Sequence, residues 1–460
     1  MKFIRSSVAI AVGYALIATA TAADSSRPDA SFQAGPMTIT PGGFLEFTSI
    51  YRHRNETADI GSSFAGVPFR NNSNYDQTEF RQTERNSRFS LLVQGSQDDG
   101  NRLEAYLETD FVSAGASSNS VESNSYTLRV RQAFLDWSRA DRGWAVTAGQ
   151  AWTLATAYKQ GLAPRQEDIP LVDDGQYHTG YTWARQTQLR IVKTFSPAVA
   201  AALSLETPQN FLKGPTPSGA LANNPGGAGM NSGTTYSTDI APDVILKFAF
   251  DPGFGHYEVY SLTRFLHDRA PRAPGALSTQ THDTTVAESA GGALILPVVR
   301  GWLDLHLNTL VGHGNGRYGS AQLPDSTYNT SNGSISALRE QQAVVGLIGH
   351  ASRTLDVYAY AGLEQQRAAY GLIPTDNTAC AVPADSGQVP PQGSACGSVG
   401  RVRQVSGGFL WKFYQSRLGF LEGGPEVEYV TNTTYTARNA TSGHTDDTMV
   451  YFTVRYHPFQ

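Results

Sequence analysis

Arg129 and Arg131 lie two positions apart in a stretch that alternates between polar and apolar residues. In a β-strand the side chains of residues i and i+2 share one face, so the two guanidinium groups form a short cationic ladder. Guanidinium groups bind carboxylates through two parallel hydrogen bonds. On a lipid-facing surface each arginine would cost about 2–4 kcal/mol at the middle of a bilayer. We therefore expect this face to meet water and to favour small organic anions such as dicarboxylates.

A second charged group falls in the segment 152–182, which is a long connection between two β-patterned stretches. Its charged residues are Lys159, Arg165, Glu167, Asp168, Asp173 and Asp174. If the segment folds inward, these charges face a wall of inward arginines, namely Arg88, Arg129, Arg131 and Arg190. Two carboxylates, Glu104 and Glu108, are expected on the same wall. Opposed charges across a narrow passage set ion preference. The alternative is a surface loop whose charges are solvated.

The elements that must hold these groups are β-strands of period two. Residues 303–311 show the pattern best, with Leu303, Leu305 and Leu307 on one face and polar residues on the other. Sixteen such segments occur, at about 43–54, 85–95, 102–113, 125–138, 143–151, 183–195, 197–207, 242–250, 254–266, 283–296, 299–312, 339–350, 354–366, 401–412, 417–431 and 447–457. Most are about ten residues long, which is the length of a tilted strand that crosses a bilayer.

The connections between these segments alternate between long loops and tight turns. Asn55–Glu84 is long and Ser96–Asn101 is short, and the rhythm continues to give eight long loops and seven turns. We therefore predict an all-β protein, a transmembrane antiparallel up-and-down β-barrel of about sixteen strands with long external loops and short periplasmic turns. A secreted soluble sandwich or solenoid is the structural alternative, because soluble sheets also alternate.

Composition supports an exported β-protein. Only 16% of the 460 residues are charged, 10% are aromatic and 45 are Gly. The mean hydropathy of −0.31 and the lack of a long apolar run beyond the first two dozen residues exclude a helical membrane protein. The aromatic content excludes a disordered chain. The formal net charge is −5, and nothing in it indicates a nucleic-acid partner.

The first 22 residues have the features of a cleaved signal peptide rather than of a membrane-anchoring helix. Lys2 and Arg5 precede an apolar run, and Ala20-Thr21-Ala22 provides small residues for cleavage. Loss of Lys2 and Arg5 would lower the formal net charge from −5 to −7. We expect residues 23–42 to form a short N-terminal periplasmic segment and residues 43–460 to form the barrel, with the third loop, about 152–182, folded inward. The expected location is the bacterial outer membrane, reached through the periplasm.

The chain has two cysteines, Cys380 and Cys396, within one stretch rich in Pro, Gly and Ser. In an exported protein such a pair can oxidise, so we predict a disulfide that closes this loop, worth about 3 kcal/mol in the chain-entropy model. Two free surface thiols are the alternative. A metal site would need more ligands, and no metal or other cofactor is expected.

Three stretches in the central part of the chain carry a recognisable pattern, namely Thr127-Leu128-Arg129-Val130-Arg131-Gln132-Ala133-Phe134, Ala148-Gly149-Gln150-Ala151-Trp152-Thr153 and Arg185-Gln186-Thr187-Gln188-Leu189-Arg190. This block resembles the DcaP-type porins, and the mature chain as a whole is similar to sixteen-stranded bacterial porins. This resemblance implies a homotrimer in which each subunit carries its own pore, and a third external loop that narrows the pore.

The sequence thus favours a porin for passive diffusion of small hydrophilic solutes, embedded in a lipid bilayer with lipopolysaccharide. A receptor or adhesin that uses the long external loops is the alternative. An enzyme is not expected, because the chain carries no GxSxG, no HExxH and no close Ser/His/Asp pattern.

Overall fold

The structure is a computed structural model. It describes residues 30–70, 72–97, 100–114, 126–213, 223–225, 235–271, 280–328, 334–367, 396–436 and 443–459.

Sixteen antiparallel strands form one closed barrel. In chain order they are β1 (Met37–Arg52), β2 (Glu79–Thr83 and Arg88–Ser96), β3 (Asn101–Ala114), β4 (Tyr126–Arg139), β5 (Trp144–Trp152), β6 (Arg185–Ser196), β7 (Val199–Glu206), β8 (Asp243–Phe250), β9 (His256–Pro271), β10 (Gln280–Val299), β11 (Leu303–His313), β12 (Arg339–Ser352), β13 (Leu355–Gln366), β14 (Cys396–Ser416), β15 (Gly419–Thr436) and β16 (His444–His457). Each pairs with the next, and Leu45–Arg52 of β1 pairs with Met449–Tyr456 of β16, which closes the sheet. The predicted fold class is confirmed.

Strand ends differ from the prediction by a few residues. The largest difference is at β1, which begins at Met37, inside the segment 23–42 that was expected to precede the barrel. The first half of β1 pairs with Arg88–Gln94 of β2, and its second half pairs with the outer piece of β2 and with β16.

The barrel also carries short strand pairs and single 3-10 turns. Phe32–Ala34 pairs with the start of β1, Asn223–Pro225 pairs with Thr235–Ser237, and Ser326–Tyr328 pairs with Ile335–Ala337. Three single 3-10 turns are described, at Phe64–Gly66, Ala140–Arg142 and Gly316–Tyr318. No helix within the described ranges has the length and apolar character needed to cross a bilayer.

The outer surface of the barrel is apolar. On β16, Val450 and Phe452 are 39% and 50% exposed, whereas Tyr451 and Thr453 between and beside them are fully buried. Aromatic side chains are exposed near the tight turns: Trp137, Trp144, Phe195, Phe250, Trp302 and Trp411. An outward apolar band edged by aromatic residues is typical of a strand barrel in a lipid bilayer.

Strand β4 contains a β-bulge at Arg131. The pairing of β3 with β4 skips this residue, so Arg131 is an extra residue on its strand. A bulge shifts the inward and outward alternation by one position. For that reason Arg129 and Arg131 face the interior in the external half of β4, and Phe134 and Asp136 face the interior in the periplasmic half. The two pairs do so although one has odd and the other even residue numbers.

The inner wall of the barrel is only partly polar. Polar residues such as Glu46, Gln188 and Glu428 lie on it. Apolar residues lie there too, because loops pack against them inside the barrel. Leu154 and Tyr158 pack with wall residues of β6–β11, and Phe64 packs with wall residues of β1 and β14–β16. The inner wall residues in these contacts are Ile50, Val192, Ala200, Ala202, Ile245, Ala249, Tyr260, Leu262, Leu310, Val402, Val430, Met449 and Tyr451.

Candidate functional site

The connection 153–184 contacts strands around much of the inner wall. Its backbone N–H groups donate hydrogen bonds to wall side chains, which fixes the path of the loop. Tyr158 N–H donates to Glu258 of β9 (3.0 Å), Leu171 N–H donates to the Tyr360 hydroxyl of β13 (3.0 Å), and Thr179 N–H donates to Gln404 of β14 (2.7 Å). Gly180 N–H donates to Glu364 of β13 (2.7 Å).

The Arg129–Arg131 ladder is neutralised by the neighbouring strand. Arg129 donates two hydrogen bonds to Asp110 (2.9 and 2.7 Å) and keeps 34% of its side chain exposed. Arg131 is 3% exposed and pairs with Glu108 (2.6 Å) and Asp110 (2.9 Å). These are the fork geometries that arginine and carboxylate favour. The predicted lumen carboxylate Glu108 is therefore an arginine partner.

The Tyr177 hydroxyl of the loop lies among the arginines. Arg131 donates to it at 2.8 Å and Arg88 at 3.5 Å. Burial would raise the pKa of Tyr177, but Arg131, Arg88 and Arg185 outweigh burial and lower this pKa to about 8. The direction of this shift agrees with the number of guanidinium groups around the Tyr177 hydroxyl.

The other predicted basic residues have separate roles. Arg190 is fully buried and donates to the Trp152 carbonyl (2.6 Å) and to the Tyr158 hydroxyl, so it anchors the start of the loop. Arg165 lies 5.0 Å from the centroid of the Tyr106 ring. Lys159 is exposed, and its backbone N–H donates within the loop. On the wall, Glu104 pairs with Arg102.

The four loop carboxylates lie apart from the four wall arginines, with no ion pair between the two sets among the described residues. Asp168 contacts His306 of β11 (2.6 Å). Asp173 contacts Arg455 of β16 (3.4 Å), and Asp174 accepts a hydrogen bond from the Tyr451 hydroxyl (2.7 Å). Glu167 is buried, and burial raises its pKa, an effect that Arg190 only partly offsets.

Asp173 and Asp174 belong to a group that we call the carboxylate cluster, which comprises Glu46, Glu56, Asp173, Asp174, Glu426, Glu428 and Asp447. Its cationic neighbours include Arg52, Arg54 and Arg455. Glu428 is fully buried and neither of its carboxylate oxygens has a hydrogen-bond partner. Burial raises the pKa of Glu56 to about 8 and that of Asp173 to about 7, although Arg52 and Arg455 act in the opposite direction.

A cavity of about 560 Å³ lies at the external end of the barrel, above the point where β5 ends and the chain turns inward. We call it the mouth cavity. Three of its lining residues are arginines and none is acidic. The lining residues are Arg129, Val130, Gln150, Trp183, Ala184, Arg185, Gln186, Gln209, Asn210, Phe211, Leu212, Arg317 and Gln322.

The mouth cavity presents hydrogen-bond donors that lack acceptors. Around it, Arg185 Nη1, Arg317 Nε, Gln186 Nε2 and Trp183 Nε1 are buried and have no partner. Arg317 donates a hydrogen bond from Nη2 to Asp243 (2.9 Å). Arg185 forms no ion pair with a described carboxylate, and its guanidinium carbon lies 4.9 Å from the centroid of the Trp152 ring. A site of unmet donors and excess positive charge fits a solute that carries acceptor oxygens and negative charge.

Sequence reasoning missed Arg185, Arg317 and Trp183 as site residues. Arg185 begins β6 on the outward parity of that strand, so its period-two position does not indicate an inward side chain. Arg317 lies in a long loop, where no period-two pattern indicates the direction of a side chain. The only available signal was position, because each residue flanks an external strand end.

The remaining site predictions concern a disulfide and a metal ion. Cys380 and the side chain of Cys396 lie outside the described residues, so the disulfide stays a prediction. Within the described residues, no group of three or more His, Cys, Asp or Glu side chains could hold a metal ion.

A closed sixteen-stranded antiparallel barrel, apolar outside and charged inside, defines a porin-type fold. It is similar to the outer membrane channel DcaP of Acinetobacter baumannii, with a TM-score of 0.64, 16% sequence identity and coverage of 93% of this chain and 99% of that chain. It is also similar to the anion-selective porin from Comamonas acidovorans, with a TM-score of 0.50, 11% identity and coverage of 92% and 99%. These likenesses confirm the fold that the sequence resemblance implied. No protein-family model matches the chain, and no curated protein matches it either.

Proposed function

We propose that this protein is an outer-membrane porin for passive diffusion of small hydrophilic solutes, with a preference for small organic anions such as carboxylates. The observation that carries the proposal is the mouth cavity, where Arg129, Arg185 and Arg317 line the space without an acidic residue. Cationic groups in a low-dielectric wall concentrate anions at a pore entrance. The anion-selective description of the Comamonas porin agrees with this preference.

The same proposal assigns the connection 152–182 to narrowing of the pore. Its support is the set of hydrogen bonds from the loop backbone to Glu258, Tyr360 and Gln404 on three separate strands. A homotrimer with one pore in each subunit, cleavage of residues 1–22 and export to the outer membrane complete the proposal.

Reversal potentials across planar bilayers under a salt gradient test the ion preference. We expect the wild-type channel to pass chloride in preference to potassium, and Arg185→Gln to lower that permeability ratio at least threefold, because Arg185 forms no ion pair with a described carboxylate. Arg142→Gln is the matched control, because Arg142 lies in the turn after Ala140, at the opposite end of the barrel, and is 66% exposed. Cation preference in the wild type contradicts the anion proposal.

Liposome swelling separates a porin from a receptor barrel. Vesicles that contain the protein should swell in solutions of small sugars and small carboxylates. Vesicles that stay impermeable to every small solute would favour the receptor or adhesin alternative.

A further inference from the structure

The outward face of three neighbouring strands carries an arginine patch at its external end. Arg339 begins β12, Arg367 directly follows β13, and Arg401 and Arg403 lie near the external end of β14. Arg403 is exposed, whereas its neighbours Val402 and Gln404 are buried on the inner wall. The alternation along β14 therefore directs Arg401 and Arg403 out of the barrel.

Strand register brings these residues together. Gln341 of β12 pairs with Gln365 of β13, and Gln365 pairs with Arg401 of β14. Arg367 donates its backbone N–H to the Arg339 carbonyl (2.9 Å), which places Arg339 and Arg367 side by side in the next row. Neighbouring strands lie about 4.8 Å apart and residues i and i+2 about 7 Å apart, so long arginine side chains on these rows reach a common area.

The patch has no carboxylate to neutralise it within the part of the chain that the structure describes. Arg401 donates to the Gln365 side-chain carbonyl (2.7 Å), which orients the guanidinium without cancelling its charge. The two glutamines add amide donors and acceptors to the same surface. Four positive charges on this outward barrel face, unpaired with any described carboxylate, are therefore available to anions from outside the chain.

The height of the patch indicates where those anions lie. Trp411 marks the periplasmic edge of the apolar band on β14 and is exposed. Arg403 lies eight residues before Trp411, toward the external end of β14. This separation corresponds to about 20 Å across the bilayer for a strand with the usual rise and tilt. Because the apolar band of such barrels is about 25 Å tall, Arg403 lies just inside its external edge and Arg401 lies at headgroup level.

We propose that Arg339, Arg367, Arg401 and Arg403 bind the phosphate groups of an anionic glycolipid of the lipopolysaccharide type in the external leaflet. Arginine suits this ligand because its planar fork binds phosphate oxygens in pairs. The inference rests on the outer-membrane placement in the proposed function, but it does not depend on which solute the pore passes.

Binding of detergent-dispersed lipid A to the purified full-length protein, followed by native mass spectrometry, tests the proposal. We expect bisphosphorylated lipid A to bind the wild type at least tenfold more tightly than the Arg401→Gln/Arg403→Gln variant. Arg417→Gln is the control, because Arg417 lies in the tight turn at the other end of β14 and should bind lipid A as the wild type does. Circular dichroism and channel conductance of each variant verify that the barrel has folded.

Three outcomes would overturn the proposal. Equal binding of lipid A with and without its phosphates removes the phosphate contact. Binding of inorganic phosphate as tight as that of lipid A replaces the lipid with a free anion. Loss of self-association in the double variant, with unchanged lipid A binding, assigns the patch to a contact between subunits. A protein that binds lipid A through the patch yet forms no channel would contradict the porin proposal alone.

Discussion

The mouth cavity and the carboxylate cluster are both rich in charged residues, but they differ in whether those residues line an open cavity or are covered by loops. At the mouth cavity, Arg129 and Arg317 are partly compensated by Asp110 and Asp243, and three arginines line an open volume. In the carboxylate cluster, Glu428 and its acidic neighbours are covered by loops 53–78 and 153–184. The formal net charge of the whole chain is negative. The comparison leads to the prediction that the charges lining an open volume, rather than the sum over the chain, decide the ion preference.

The largest effect on stability is expected when an arginine that is paired with wall carboxylates is removed. Arg131→Ala leaves Glu108 and Asp110 without their buried partner, and breaking such a pair costs about 3–5 kcal/mol. The free energy of unfolding, measured by urea titration in detergent, should fall by that amount. Arg142→Ala, in an exposed turn, should change it by less than about 0.5 kcal/mol. A loss below about 1 kcal/mol for Arg131→Ala would mean that the basic side is not held by ion pairs.

A smaller effect is expected for the loop that runs between the two regions. Gly180 has φ +87°, and a Cβ there would lie 2.0 Å from the Ala343 carbonyl oxygen of β12. Gly161 in the same loop has φ +55° with open space around it. Gly161→Ala should cost about 1 kcal/mol from backbone strain alone, and Gly180→Ala about 1–3 kcal/mol more because the loop must shift. Thermal unfolding of both variants measures the difference, and equal losses would mean that the loop does not lie tight against β12.

The third effect concerns pH. Glu56 and Asp173 have raised pKa values of about 8 and about 7 when the loops are docked, so docking takes up protons. Docking is therefore strongest at low pH and weakens as pH rises from the ordinary carboxyl range near 4 through 7 to 8. Single-channel conductance should increase between pH 5 and pH 9 as the loops loosen.

Two variants sharpen the pH prediction. Glu56→Gln should flatten the rise in conductance, because the amide has no proton to lose. Glu104→Gln, a wall carboxylate that is paired with Arg102, should leave the rise unchanged. Conductance that is constant over this range in the wild type would show that the carboxylate cluster does not hold the loops.

The smallest effect is expected in the carboxylate cluster itself. Glu428→Gln replaces a buried carboxyl group whose oxygens have no partner and which lies among other carboxyl groups, so the free energy of unfolding at pH 8 should rise by about 1 kcal/mol. The sign is opposite to that of Arg131→Ala. The chloride to potassium permeability ratio should stay within a factor of two of the wild type, since Glu428 does not face the mouth cavity. A large change in this ratio would break the comparison between the two regions.

The barrel was predictable from sequence because strand period and loop length are local properties. Alternation along residues 303–311 and 355–363 needs no knowledge of the rest of the chain. The bulge at Arg131 was not predictable, since a single extra residue shows only as a phase change between Val130 and Ala133 that tolerates other interpretations.

The site was predictable only in part, because its residues come from distant segments. Arg129 was found through its spacing to Arg131, whereas Arg317 reaches the mouth cavity from a loop that lies far along the chain. The alternation of β1 and β15 is compatible with Ile50 and Val430 on the inner wall, but it does not show that a loop containing Phe64 covers them. The packing of loops inside the barrel depends on the closure of the sheet, which brings distant strands together. A local sequence pattern does not show which strands will meet.

The hydrogen bonds of the connection 153–184 also constrain the order of assembly. The loop follows β5 in the chain, yet it binds Gln404, Tyr451 and Arg455, which lie 225 to 282 residues further along the chain than their loop partners. Contacts of such wide sequence separation form late in folding. We therefore expect the cylinder to close before the connection 153–184 makes its contacts with β14 and β16, so the interior would be filled last.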